Sequence, residues 1–179
     1  MIMLPLVYSC LLTLLLCITT GAVCSAQQDH LSALETDRVR EAQAIDLRTE
    51  VFLKAIERRM IVIMGKTAER QKELKKDQEL WGDLPTGTKP ELLNDISGIL
   101  DEAITNIDDS YTRNRSSPLL SKALNSLSGA ASILRTQLSQ VTKDDRIDNR
   151  IDDRTSLEIS HINNQVEEIF EAAKRARAK

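Results

Sequence analysis

A chain of 179 residues with 41% hydrophobic and 28% charged side chains fits one globular domain rather than a disordered chain. The 24 basic and 27 acidic residues leave a formal net charge of -3, too little positive field for general binding of nucleic acid or anionic lipid over the whole surface. An aromatic content of 3% and the lack of alternating runs with hairpin turns argue against a sheet, so the expected class is all-α.

The run from Leu4 to Ala26 carries no charged side chain and ends in small residues, TTGAVCSA, the profile of a secretory signal peptide. Ala26 with Cys24 two places before it gives a small-x-small cleavage site, so the expected mature chain starts near Gln27. The alternative is an uncleaved N-terminal anchor. The n-region has no Lys or Arg, and the apolar run reaches the roughly 20 residues a membrane span needs. Cys10, Cys17 and Cys24 all lie in this leader, so the cleaved chain would hold no thiol, disulfide or cysteine metal site. Lipidation at Cys24 is a further way to tether the protein, although Val23 is a poor residue before a lipoprotein cysteine.

Residues 27–179 are expected to form a single helical-bundle domain. From Asp37 to Leu80 the only breaker is Gly65, so this first element reads as one long helix, or as a short helix broken near Asp46 and followed by a longer one. Phe52, Ile56, Met60 and Ile63 start its apolar stripe, which continues weakly through Thr67 and Leu74. The stretch Met60, Ile61, Val62, Ile63, Met64 is apolar on too many sides for one stripe, which makes it the best candidate interaction patch. KTAERQKELKKDQE, almost wholly polar, reads as a solvated end.

WGDLPTGTKP at 81–90 and NRSSP at 114–118 are the clear loops, with Pro90 and Pro118 placed as first helical residues and Ser117 as a cap. After the first loop Leu93, Ile96, Leu100, Ala103 and Ile107 form one helical stripe. After the second, Leu120, Leu124, Leu127, Ala131, Leu134, Leu138 and Val141 form another. Ile159, Ile162, Val166, Ile169, Ala173 and Ala176 form the last. The expected architecture is an antiparallel up-down bundle of about four main helices with coiled-coil-like packing, the first long or broken, and sequential helices antiparallel neighbours.

TKDDRIDNRIDDR, residues 142–154, is the most charged run. On a helix Asp144, Asp148 and Asp152 align on one side, Arg146, Arg150 and Arg154 lie roughly opposite, and Ile147 and Ile151 occupy an edge. Like charges four apart repel, so the run needs partners of opposite charge or frays. It lacks the Gly and Glu register of an EF-hand. With five carboxylates against three arginines and one lysine it does not suit nucleic acid either, so it reads as a charged connection into the last helix.

Motifs for chemistry are sparse. Glu158 and His161 form an E-x-x-H, the one candidate metal pair, but a di-iron bundle needs a second such motif and inward glutamates, and only His30 remains. No G-x-S-x-G elbow, P-loop, dinucleotide fingerprint or C-x-x-C-H occurs. Asp101-Glu102, Asp108-Asp109 and Glu167-Glu168 diverge on a helix. Trp81 and Tyr111 read as helix-end seals, with ligand stacking at Trp81 as the alternative, and the cations of KRARAK complement the dipole of the last helix. The expected role is a non-catalytic, cofactor-free exported protein of the bacterial envelope, periplasmic or at the cell surface. It would be structural or adaptor-like, meeting a protein partner or a second copy through residues 60–64. Nucleic acid is not expected as a partner, and a membrane only through the N-terminal segment. The alternative is a periplasmic bundle that binds a small ligand or metal near Glu158, His161 and Trp81.

Overall fold

The computed structural model describes residues 30–147 and 152–177; the expected leader with its three cysteines, and Asp148, Arg150 and Ile151 of the charged run, lie outside the described residues. Helices account for most of the described chain, which has no strand: α1 Ala33–Glu41, α2 Ile45–Ile63, α3 Gln71–Trp81, α4 Lys89–Arg113, α5 Pro118–Ile147 and α6 Asp153–Arg177.

The expected long first element is three helices. Ser32 and Glu35 close a capping box that starts α1: the Glu35 amide donates to the Ser32 hydroxyl at 3.2 Å, and the Ser32 amide to the Glu35 carboxylate at 2.9 Å. Residues 42–44 interrupt the helix just before Asp46, as the broken alternative expects. The second break, at Gly65, is a correction: its φ of 65° is left-handed, so the chain leaves the helix and the stripe does not continue through Thr67 and Leu74. Without that stripe α3 has no core face, and none of its residues is buried.

Thr88 precedes α4 and its amide donates to the Glu91 carboxylate at 2.8 Å; Pro90 is the second helical residue, where its missing N–H costs nothing. Pro118 opens α5 as expected. At α6 the Thr155 amide donates to Asp152 at 2.6 Å, so the charged run is no continuous helix: it ends α5 at Ile147 and caps α6 at Asp152. Ile147 is 81% exposed.

The stripes of α2, α4, α5 and α6 turn inward around one core that includes Phe52, Ile96, Leu100, Leu127, Leu138, Ile162 and Val166. Each large apolar side chain buried there contributes about 1.5–3 kcal/mol. Ala176, the last position of the expected stripe, is exposed. α2 packs on α4 and α5, α6 packs on the same two, α1 lies against α2, and α4 meets α5 less closely.

Cross-helix bonds fix the directions. Arg48 reaches Asn106 at 3.0 Å while Arg59 reaches Asp95 at 3.4 Å, so α2 and α4 run oppositely. Asp46 meets Lys122 at 2.8 Å near the starts of both helices, so α2 and α5 run together. Ser97 meets His161 and Asp101 meets Gln165, so α4 and α6 also run together. The four long helices alternate in direction along the chain, yet two neighbouring pairs are parallel. α4 and α5, expected as antiparallel neighbours, are antiparallel across the diagonal. No helix among the described residues is long and apolar enough to cross a membrane.

Candidate functional site

Arg58 lies on the side of α2 away from the apolar stripe, whereas Arg59, seven residues after Phe52, falls at the stripe's edge between Ala55 and Phe52. α1 covers them, and they are 1% and 2% exposed. Glu35 of α1, 1% exposed, accepts from Arg59 Nη1 at 3.2 Å and Nη2 at 3.1 Å, a forked ion pair, while Arg58 Nε stands 3.5 Å from its Oε1. Arg59 also bonds the His30 carbonyl and Asp95, whose Oδ1 is 3.4 Å from His30 Nδ1. Arg58 Nη2 donates to the carbonyls of Trp81, Gly82 and Asp83, so one guanidinium holds the end of α3. Burying such charges is tolerable only because they are paired, and the junction ties α1, α2, α3 and α4 together.

α3 is otherwise held by surface pairs. Lys54 meets Asp77 at 2.7 Å and Arg70 meets Glu57 at 2.6 Å. Burial pushes the Glu57 carboxyl up, but hydrogen bonds from Arg70 and Lys54 outweigh it and leave the pKa below its ordinary 4.5.

Between α4 and α6, Ser97 Oγ lies 3.1 Å from His161 Nδ1 and 3.1 Å from Gln165 Oε1, and Gln165 Nε2 donates to the Ser97 carbonyl and, at 2.6 Å, to Asp101. A serine beside a histidine invites a catalytic reading, but Ser97 is 3% exposed and neither cavity described below reaches it. The arrangement pins the register of a parallel helix pair. His161 is exposed and Glu158 half-buried, and no group of three His, Cys, Asp or Glu side chains able to hold a metal occurs among the described residues. Trp81 closes α3 beside Arg58, so the structure does not bring it to Glu158 and His161. Tyr111 packs on the core near the end of α4, with Arg115 4.9 Å from its ring centre. Asp145, in the charged run, is 4% exposed and bonds Lys89 at the start of α4.

The patch at 60–64 divides. Met60 and Ile61, 1% and 5% exposed, turn inward, while Val62, Ile63 and Met64 are half-buried. Met60, Ile61 and Met64 line a cavity of about 340 Å³ between α2 and α5, with Leu53 and Ile56 on the same wall and Ala130, Ile133, Leu134 and Gln137 opposite. Because α2 and α5 are parallel, Gln137 and Met64 fall at the same end. Ala130 is too small to fill the gap, and Ile133 stands 63% exposed at its mouth. A second space of about 260 Å³, lined by Arg58, Gln71, Leu74, Lys75 and Gln78, separates α2 from α3.

No family model, curated protein or solved structure matches the chain. The site has therefore to be read from its own chemistry.

Nothing in the sequence marked the ionic junction except S-x-x-E at Ser32 and Glu35, which signals the start of α1 but not its burial. The groove had a partial signal in the crowded apolar residues 60–64; Ala130 gave none.

Proposed function

We propose that this protein is an exported, non-catalytic helical bundle that works by binding a small apolar group in the groove between α2 and α5. The observation that carries the reading is the cavity of about 340 Å³ walled by Met60, Ile61, Met64, Ala130 and Leu134. Pockets of this size and lining take small ligands, and methionine adapts to their shape. Export rests on the apolar leader at 1–26, and the up-down, coiled-coil-like bundle serves as the rigid frame that holds the two groove walls apart.

The adaptor reading needs a face of about 800 Å² per partner for a standard interface, with an apolar centre. Met60 and Ile61 are spent on the core, and the exposed large apolar residues Leu34, Leu47, Leu80, Leu119, Ile133, Ile147 and Leu157 are spread over five helices. A concavity that admits a group suits this surface better than a broad contact.

The test is fluorescence titration with N-phenylnaphthylamine, a neutral apolar probe. One saturable site is expected, weakened at least tenfold by Ala130→Leu, which fills the groove from a half-buried position. Binding unchanged in that variant, or no binding at all, would contradict the proposal.

A further inference from the structure

The groove is largely apolar, with a neutralised ion pair partway along it and a lone cation at one end. Glu57, Lys66 and Arg70 are its charged lining residues. Arg70 is committed twice, to Glu57 at 2.6 Å and to Glu73 at 2.8 Å, and Glu57 also accepts from Lys54 at 3.1 Å. These charges neutralise one another. Lys66 is different: it is exposed, and its ammonium makes no ion pair among the described residues. The side-chain amide of Gln137, at the same end, likewise has no hydrogen-bond partner among the described residues. The Met64 end thus holds one uncompensated cation and one free amide donor, while Leu53, Ile56 and Ala130 lie towards the other end, where the only charges are the mutually neutralised Glu57 and Arg70.

We propose that the ligand is a single-chain amphiphile with a carboxylate head, its alkyl chain lying in the groove towards Leu53 and Ala130 and its head at Lys66 and Gln137. This rests on the groove reading above and adds to it the polarity and orientation of the ligand. At 1.5 Å per residue the α2 wall rises roughly 16 Å from Leu53 to Met64 and the α5 wall roughly 10 Å from Ala130 to Gln137, room for an alkyl chain laid along the helices. An anion would gain the Coulomb attraction of Lys66 without displacing an existing partner, whereas a cationic head would meet the free ammonium and be repelled.

Met60 and Met64 are the methionines of the described chain, and both line the groove, so their methyl groups report its occupancy directly. The experiment is a titration of the purified protein, labelled at the methionine methyls and kept free of detergent, with decanoate, decanol and decyltrimethylammonium below their micellar concentrations. Decanoate is expected to shift both methyl resonances saturably at one equivalent, to bind about three- to fivefold more tightly than decanol, and to lose that advantage in Lys66→Gln, a surface change that leaves the fold intact. Equal binding of decanoate and decanol, unaffected by Lys66→Gln, would overturn the assignment of the head group while leaving the groove as an apolar site. No shift at Met60 or Met64 with any of the three would overturn the groove reading and the ligand class with it. A dimer in light scattering that Ile133→Asp converts to monomer would give the groove to a second copy of the chain and overturn the inference by that route.

Discussion

Replacing Glu35 by Gln tests whether the ionic junction holds the N-terminal helix on the bundle. The substitution keeps the volume and removes the charge that both Arg58 and Arg59 face. Arg59 would keep Asp95 and the His30 carbonyl, but the forked pair at 3.1 and 3.2 Å would be gone, and Arg58 would keep only carbonyl partners. Breaking a buried pair by removing one partner costs about 3–5 kcal/mol. The structure sets a ceiling on that loss. α1 packs chiefly on α2, with Arg38 donating to the Leu80 carbonyl at the end of α3, and besides Glu35 itself its side is closed only by partly buried residues such as Leu31 and Val39. Once the penalty exceeds what those contacts supply, α1 lifts away and water solvates the arginines. The expected loss of global stability is therefore about 2–3 kcal/mol, the lower part of the range, with the damage concentrated in α1. Urea unfolding followed by circular dichroism should move its midpoint down by roughly 1–2 M at the slopes usual for a domain of this size. Amide exchange over residues 33–41 should lose protection while the middles of α4 and α5 keep theirs. Asp37→Asn, which touches only the exposed pair with Arg40, is the control and should stay within about 0.5 kcal/mol of the parent. A midpoint shift below about 0.3 M with α1 protection intact would show that the junction does not carry this load.

Gly98→Ala should destabilise even though alanine favours a helix by about 1 kcal/mol, because its methyl would collide with the His30 ring; calorimetry should show a lower Tm, and a higher one would refute the close approach. Lys89→Met leaves the Asp145 carboxylate, 4% exposed, without its cation and should cost about 2–3 kcal/mol in urea unfolding, a loss that Lys89→Arg should largely restore. Acid should weaken the fold through carboxyls held below their ordinary pKa: Asp46 by its hydrogen bond from Lys122, Asp152 by the Thr155 amide and Glu91 by the Thr88 amide. Their stabilisation is complete above the ordinary values, 3.8 for the aspartates and 4.5 for Glu91, and is lost as pH falls through the lower folded values. Urea midpoints taken from pH 7 to pH 2 should therefore fall below about pH 4, and Asp46→Asn should flatten that fall; an unchanged acid limb in the variant would count against the pairing.

Helical spacing made the stripes of α4 and α5 readable residue by residue, from Leu93 to Ile107 and from Leu120 to Val141. Burial of these repeat positions, with Leu124 only partly covered, is what a period near 3.6 demands when one face meets a core. Spacing carries no information about which helix a stripe will meet. The parallel contacts of α2 with α5 and of α4 with α6 arise only when four stripes pack together, and two loops of similar length are compatible with either neighbour. Gly65 was visible as the one glycine in a long polar-to-apolar stretch, but its left-handed φ is what turns it from a tolerated residue into a break. Arg58 and Arg59 gave no signal of their burial for a different reason. A charge opposite an apolar stripe, as Arg58 is, or at its edge, as Arg59 is, reads as solvent-facing unless another element covers it, and α1, with a single buried side chain, gives almost no apolar signal of its own. Asp145 was hidden among like charges, since only Lys89, 56 positions away, distinguishes it from Asp144. For the groove, crowding at residues 60–64 pointed to the right segment. The space itself comes from Ala130 on a helix ten or more residues beyond the nearest loop, a position that reads as an ordinary small residue on a helix flank.

The most direct test of the account is an intermolecular Overhauser experiment with N-phenylnaphthylamine bound to the methyl-labelled protein. Cross-peaks from the probe to the methyls of Met60, Met64, Ala130 and Leu134 together are the predicted result, because only parallel packing of α2 and α5 around an open space places those four groups about one ligand. Cross-peaks confined to Leu34, Ile147 or Leu157, or to none of the groove methyls, would contradict it.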